Sequence, residues 1–276
     1  MYALLLITAA LGAAPEAQWL GEPPKKAERI VSLAPSATEL IFAMGAGERV
    51  VGVTRYDDVP KAVLKLPKVG GFIDPNHEAI FALKPDFVVA VPTSGGRKAL
   101  DDLARLGVPV LVLPGLDLAE IWLSIDALGR TLGMVVAADA LKEKLQAQRQ
   151  KLIAQHRGKK SIKALVVVGL RPIVAIGPGS YLHAGLADIA VENAVTLDKP
   201  YPVLDPEFLF KLDPDVIVDL SYGPGSGPEA WHAVADLRAV RDKRVVKFDD
   251  DALRRPGPRL FAGLARLAAA LEALRR

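Results

Sequence analysis

From Arg29 onward, short apolar β-branched runs alternate with stretches in which apolar residues recur every three or four positions. Arg29–Ala34, Val50–Thr54, Asp86–Val91 and Val108–Leu113 read as strands, each bounded by Pro or Gly. Pro35–Gly45 and Lys98–Leu106 read as helices between them. Such alternation predicts a parallel sheet covered on both faces. A helix over Leu118–Leu132 follows, then the longest helical pattern, Val135–His156, which holds no Pro or Gly and is rich in strong helix formers. Twenty-odd helical residues span about 30 Å. After Gly158 the strand pattern restarts at Lys163–Val168, Ile173–Ile176, Val216–Leu220 and Val245–Phe248, and Pro258–Arg275 reads as a closing helix. The expected architecture is therefore α/β: a lobe over 28–133, one connecting helix over 134–157, and a second lobe over 158–276. A single helical connector resists bending, so a rigid bilobed body with a cleft between the lobes is expected.

One motif occurs twice. Glu78-Ala-Ile-Phe-Ala-Leu-Lys-Pro85-Asp86 and Glu207-Phe-Leu-Phe-Lys-Leu-Asp-Pro214-Asp215 each precede an apolar run. Each reads as a short helix stopped before proline and followed by a buried strand. Asn76 and Asp205 stand where N-caps would, which puts Glu78 and Glu207 in the first helical turn, favoured by the helix dipole. Helix-Pro-strand is common punctuation in α/β proteins, but the order of elements around the two copies makes them equivalent places in two similar lobes.

Composition narrows the chemistry. The 276 residues are 51% hydrophobic and 24% charged with a net charge of +3, an ordinary globular balance. The basic clusters are short and lack interleaved aromatics, so nucleic acid is not an expected partner. There is no cysteine, which excludes disulfides, thiolate metal sites, a cysteine nucleophile and a lipid-bearing cysteine. The run Met1–Ala14, ending in small residues, resembles a secretory h-region without a basic n-region. Residues 1–27 are expected to be a leader and tether, and the mature protein an exported, soluble, periplasmic one; a disordered or buried N-terminus is the competing reading. Gly223–Pro228 lacks the lysine of a phosphate loop, and no catalytic triad or paired-carboxylate spacing is present. An enzyme on two such lobes, for instance a glycosyltransferase, is the rival from another class. Asp249-Asp250-Asp251 reads as a solvated turn, and His77, His156 and His232 as exposed helix residues.

Ligands of open α/β sheets collect beyond the carboxyl ends of the strands. Tyr56, Tyr181, Tyr201 and Tyr222 all fall in predicted loops or strand ends, and Phe72 in the turn Gly70-Gly71-Phe72. Aromatics from both lobes facing one cleft would form a broad apolar box for a large, flat ligand.

The blocks Arg29–Gly45, Val51–Pro60 and Pro67–Asn76 resemble the helical-backbone metal-receptor family, the substrate-binding proteins of ABC importers for vitamin B12, haem and ferric siderophores. Pro35-Ser-Ala-Thr-Glu39 and Gly52-Val-Thr-Arg-Tyr56 are most similar to the B12-binding branch. The resemblance covers the chain after its leader and implies two Rossmann-like lobes joined by one long helix. It implies no enzymatic activity and no resident cofactor, with a corrinoid as the transported ligand. Tyr56, Phe72 and Tyr201 match family aromatics that pack on such a ligand. Val91 stands where the family has another aromatic, and Tyr222 joins the set from its place beyond a strand. The resemblance also implies that Glu78 and Glu207 dock a monomer onto arginines of a permease dimer in the inner membrane. A haem-binding member would use an axial His or Tyr, for which His183 is the candidate beside Tyr181. A siderophore binder would use cleft arginines such as Arg55, Arg97 and Arg171.

Overall fold

The computed structural model describes residues 16–91, 96–222 and 226–275. The first lobe holds strands β1 (Gln18–Leu20), β2 (Ile30–Ser32), β3 (Val50–Val53), β4 (Phe87–Ala90) and β5 (Val110–Val112), ordered β1-β5-β4-β2-β3. Its helices are α1 (Pro35–Ala43), α2 (His77–Ala82) and α3 (Arg97–Arg105). Then come α4 (Leu118–Leu132) and α5 (Val135–His156), with the bounds the sequence pattern predicts. The second lobe comprises β6 (Ile162–Leu170), β7 (Ile173–Ala175), α6 (Tyr181–Asp188), β8 (Val191–Asn193), β9 (Val203–Leu204), α7 (Pro206–Leu212), β10 (Val216–Asp219), α8 (Arg238–Arg241), β11 (Val245–Lys247) and α9 (Leu260–Leu271). Its sheet runs β11-β10-β6-β7-β9, with β8 also paired to β6. The two sheets share no strand among the described residues, so the lobes meet through helices.

The capping chemistry explains why α4 stops and starts where it does. The Asp117 carboxylate accepts from the Glu120 amide at 2.9 Å, and Glu120 reaches back to the amides of Gly115 (2.7 Å) and Leu116 (2.5 Å). Gly133, at φ +67°, closes the helix in the left-handed region. The next residues turn the chain straight back, and α5 lies against α4 so closely that a Cβ on Gly129 would stand 2.4 Å from that of Ala138. Trp122 of α4 stacks on Phe261 of α9, rings 6.0 Å apart and 14° from parallel. One apolar core runs without interruption from Ile30, Phe87 and Leu111, through Leu128, Leu141 and Leu145, to Val166, Val218 and Leu264. This shared core joins the two lobes, α5 lays one face (Ala138, Leu141, Leu145, Leu152) against it, and each lobe has a further apolar cluster of its own.

Two expectations are corrected. Within residues 1–27, expected to be a leader and tether, Gln18–Leu20 is no free tether: it pairs antiparallel with β5, and Trp19 meets Phe87 edge-on at 5.5 Å. Three residues are too few for a period to register. The apolar run Met1–Ala14 lies outside the described residues. The sheets are also not wholly parallel: β6 and β7 are joined only by Arg171-Pro172, and two residues suffice for a hairpin but not a crossover, so β7 runs antiparallel to β6, and β9, antiparallel to β7, runs in the direction of β6. No helix among the described residues is long and apolar enough to cross a membrane.

Candidate ligand-binding cleft

The carboxyl ends of β2, β3, β4, β10 and β11 converge on a cavity of about 790 Å³ between the lobes. The first lobe contributes Leu33–Ser36, Arg55, Tyr56, Asp58, Phe72 and Val91; the second contributes Tyr222, Asp251, Arg254, Arg255 and Pro256. This is the size range of small-molecule sites, placed where open α/β sheets put them.

Tyr56 and Phe72 form one wall, their rings 5.4 Å apart and tilted by 49°. Two glycines make that approach possible. Gly70 takes φ +97°, and a Cβ on Gly71 would come within 2.4 Å of the Asp74 carboxylate and 3.2 Å of the Tyr56 ring. Below them, buried Asp57 accepts from the Thr54 amide (2.9 Å) and hydroxyl (2.5 Å), pinning the turn that carries Tyr56. Burial raises the Asp57 pKa, more than the hydroxyl and amide contacts lower it. Across the cavity, the Tyr222 ring lies on the Arg254 guanidinium at 3.8 Å and its hydroxyl donates to Asp251 at 2.9 Å. Burial and the Asp251 contact push the Tyr222 hydroxyl up, so it stays a neutral phenol. Burial alone would raise the Asp251 pKa, but hydrogen bonds from Arg254 and Tyr222 outweigh it and hold the group low.

Each arginine that lines the cavity already has a carboxylate. Arg55 pairs with Asp74 at 2.8 Å, Arg254 with Asp251 at 2.8 Å and Asp249 at 3.2 Å, and Arg255 with Asp58 at 2.6 Å and Glu39 at 3.2 Å. Glu39, on α1 and 3% exposed at its side chain, also accepts from Nε and Nη2 of Arg259, at 2.8 and 2.7 Å. Arg255 further donates to the Tyr56 carbonyl at 3.0 Å. The cleft floor is therefore an ionic cluster joining α1 and the Tyr56 turn to the start of α9. Sequence reasoning missed Asp58, Asp251, Arg254, Arg255 and Glu39 as site residues. The adjacent pair Arg254-Arg255 before Pro256, one turn after three aspartates, was the available signal.

The sequence-predicted residues divide as follows. Tyr56, Phe72, Val91 and Tyr222 come together in the lining, whereas Tyr201 stands outside it. Tyr201 is 38% exposed, yet its hydroxyl end is buried enough to be pushed up to about 12. Tyr181 is not a cleft residue: it opens α6, is buried, and donates its hydroxyl to the Leu253 carbonyl at 3.0 Å and its amide to Leu116 at 2.7 Å. His183 is not in the lining either. The Asn193 amide, 3.1 Å away, donates to its Nδ1. His156 is buried, not exposed, with Nδ1 donating to the Leu152 carbonyl at 2.9 Å. The aspartate run is no free turn: Asp249 pairs with Lys247, Asp250 with Arg266 at 2.6 Å, and Asp251 with Arg254. Arg97 pairs with Asp101 along α3 at 3.0 Å. Neither Arg97 nor Arg171 lines the cavity. No group of three or more metal-ligating side chains is present among the described residues.

The doubled motif is equivalent in its hydrogen bonds as well as in its letters. Asp86 accepts from the Arg29 amide and Asp215 from the Lys163 amide, both at 2.9 Å. Arg29 caps the Leu83 carbonyl at 2.6 Å, and Lys163 caps that of Leu212 at 2.6 Å. Lys84 and Asp213 both turn the chain at positive φ, 46° and 39°. Asn76 caps α2 through its side chain at 3.0 Å; Asp205 occupies the N-cap of α7 without a side-chain bond. Each helix runs back against its sheet, so Glu78 and Glu207 sit exposed at the carboxyl-end side of the strands, one per lobe. Neither touches the cavity.

Two sheets that meet through packed helices around a ligand-sized cleft are an architecture suited to binding a solute. The chain belongs to the periplasmic binding protein family, whose model matches residues 30–252. Members bind solutes rather than transform them, and this chain is a binding protein, not an enzyme. It is 32% identical over 253 residues to an uncharacterized ABC transporter substrate-binding lipoprotein, YvrC, of Bacillus subtilis, covering 88% of this chain and 80% of that one. It is 29% identical over 255 residues to the vitamin B12-binding protein of Vibrio cholerae, covering 90% and 91%. The crystal structure of the periplasmic vitamin B12-binding protein BtuF of Vibrio cholerae superposes with a TM-score of 0.78 at 28% identity, over 92% of this chain and 99% of that one. A periplasmic heme-binding protein of Pseudomonas aeruginosa superposes with a TM-score of 0.75 at 29% identity, over 88% and 92%.

Proposed function

We propose that this protein captures a corrinoid in its interlobe cleft and delivers it to an ABC permease dimer in the inner membrane, acting as an exported, soluble monomer with no resident cofactor. The observation that carries the reading is the combination of aromatic walls from both lobes with arginines already paired to carboxylates. Rings of Tyr56, Phe72 and Tyr222 offer stacking and apolar area to a broad macrocycle. A haem brings two carboxylates that need free cations, and a ferric siderophore brings more negative charge; here a charged ligand would have to displace Asp58, Asp74 or Asp251. A corrinoid, fringed mainly by neutral amides, leaves those pairs intact. Val91, in place of an aromatic, widens one wall. The kinship to a B12-binding protein supports the same choice.

The test is titration with cyanocobalamin, cobinamide, haemin and a ferric siderophore, followed by calorimetry and visible absorption. Tight binding of one or both corrinoids is expected. Tight haemin binding, with both corrinoids inert, would sink the assignment.

Glu78 and Glu207 then serve as the two docking carboxylates, held on rigid helices at equivalent places. Reversing both, Glu78→Lys with Glu207→Lys, is expected to abolish ATP-driven uptake in reconstituted vesicles while leaving cleft affinity unchanged. Normal uptake by the double variant refutes docking through these residues.

A further inference from the structure

Each docking glutamate has an aromatic companion that the reading above does not use. Phe81 follows Glu78 by three residues and Phe210 follows Glu207 by three. Residues three apart on a helix share a face. Phe210 is 47% exposed, although Leu209 and Leu212 beside it are buried, so its ring is offered to the outside rather than spent on the core. Phe81, at the matching position, is half-buried against the first lobe. Lys211 lies one turn beyond Glu207, yet no ion pair of Glu78 or Glu207 forms among the described residues. An exposed carboxylate without a cation, next to an exposed phenyl ring, is a surface prepared for a partner.

The chemistry of that partner follows from the pair. A guanidinium can place its planar fork on the carboxylate and its face on the ring at once, whereas an ammonium is a point charge without a flat face. We infer that Glu207 and Phe210 together form an arginine-recognition element for the permease, in which the ring of Phe210 covers the guanidinium that Glu207 pairs. The inference rests on the docking reading of the glutamates and adds the aromatic half of the contact. The equivalent capping at Arg29 and Lys163 fixes both helices to their sheets in the same way, so the second lobe presents its ring at a set place beside its carboxylate. The half-buried Phe81 contributes only an edge, which makes the second lobe the more aromatic of the two contacts.

The experiment measures affinity of the purified protein for its permease complex in nanodiscs, together with cobalamin affinity and thermal midpoint, for Phe210→Ala, Phe210→Leu, Phe210→Tyr and Glu207→Gln. Phe210→Ala is expected to weaken docking by about 3- to 30-fold, the range of a cation–π contact. Phe210→Tyr should dock as the parent does, and Phe210→Leu should remain weakened because it keeps apolar area but loses the ring. Thermal midpoint and cobalamin affinity should not move. If Phe210→Ala docks normally while Glu207→Gln does not, the aromatic element is refuted and the glutamate reading stands. If Phe210→Leu docks as the parent does, recognition by the ring is refuted. If neither Phe210→Ala nor Glu207→Gln alters docking, the docking reading itself fails and takes this inference with it.

Discussion

Replacing Glu39 by alanine is expected to destabilise the protein by about 3–5 kcal/mol, because it strips a buried carboxylate from two arginines. Arg255 is 12% exposed at its side chain and keeps Asp58; Arg259, at 32%, loses its only carboxylate partner among the described residues. Partial solvation of Arg259 puts the expectation at the lower end of that range. A urea midpoint, with the slope checked for two-state behaviour, measures it. The double change Glu39→Met with Arg259→Met removes the unpaired charge and should recover much of the loss, since well-packed apolar groups can substitute for buried ion pairs. A cost below about 1 kcal/mol for Glu39→Ala, smaller than a buried ion pair implies, would mean that the cluster does not hold the lobes together.

Removing Tyr56 and Tyr222 together is the second large effect. Each ring is worth roughly 1–3 kcal/mol of ligand contact when truncated to alanine. The two come from opposite lobes with no contact between them, so their losses should add, weakening cobalamin binding by at least about thirtyfold. Tyr56 and Phe72, in contact at 5.4 Å, should not add. The fold should survive, since Tyr222 is 66% exposed and Tyr56 is 47% exposed. Calorimetric titration of the single and double variants separates these outcomes; a double variant that binds as well as the parent places the ligand elsewhere.

The long elements were legible because their punctuation is local. Asp117, Gly133 and an unbroken run free of Pro and Gly mark α4 and α5, and both bounds agree with the structure. β1, β8 and β9 have three, three and two residues, too few to show alternation, and owe their existence to the neighbouring strands they complete. The aromatic wall was legible for a similar reason: Tyr56 and Tyr222 follow strands, and Gly70-Gly71 announces a close approach. Tyr181 misled because its neighbours Gly177-Pro-Gly179 suggest a loop, while Ser180 in fact caps a helix that carries the tyrosine inward. The ionic cleft floor was invisible because Glu39 and Arg259 meet only when the lobes come together, 220 residues apart.

The uninterrupted core has a consequence for traffic at the membrane. A hinge needs a seam where side chains can part cheaply, and here the path from one lobe to the other crosses packed leucines, the Trp122–Phe261 stack and a buried carboxylate. Filled and empty molecules are therefore expected to present nearly the same outline, with Glu78 and Glu207 at an unchanged spacing. On the docking proposed above, a permease that reads those carboxylates would have no geometric cue to occupancy, and empty protein would compete with filled protein for the same berth. When solute is scarce and the binding protein abundant, uptake should fall as more of it is added. On the same proposal, release would be forced by the permease, through work done against the contacts that keep the two lobes as one body.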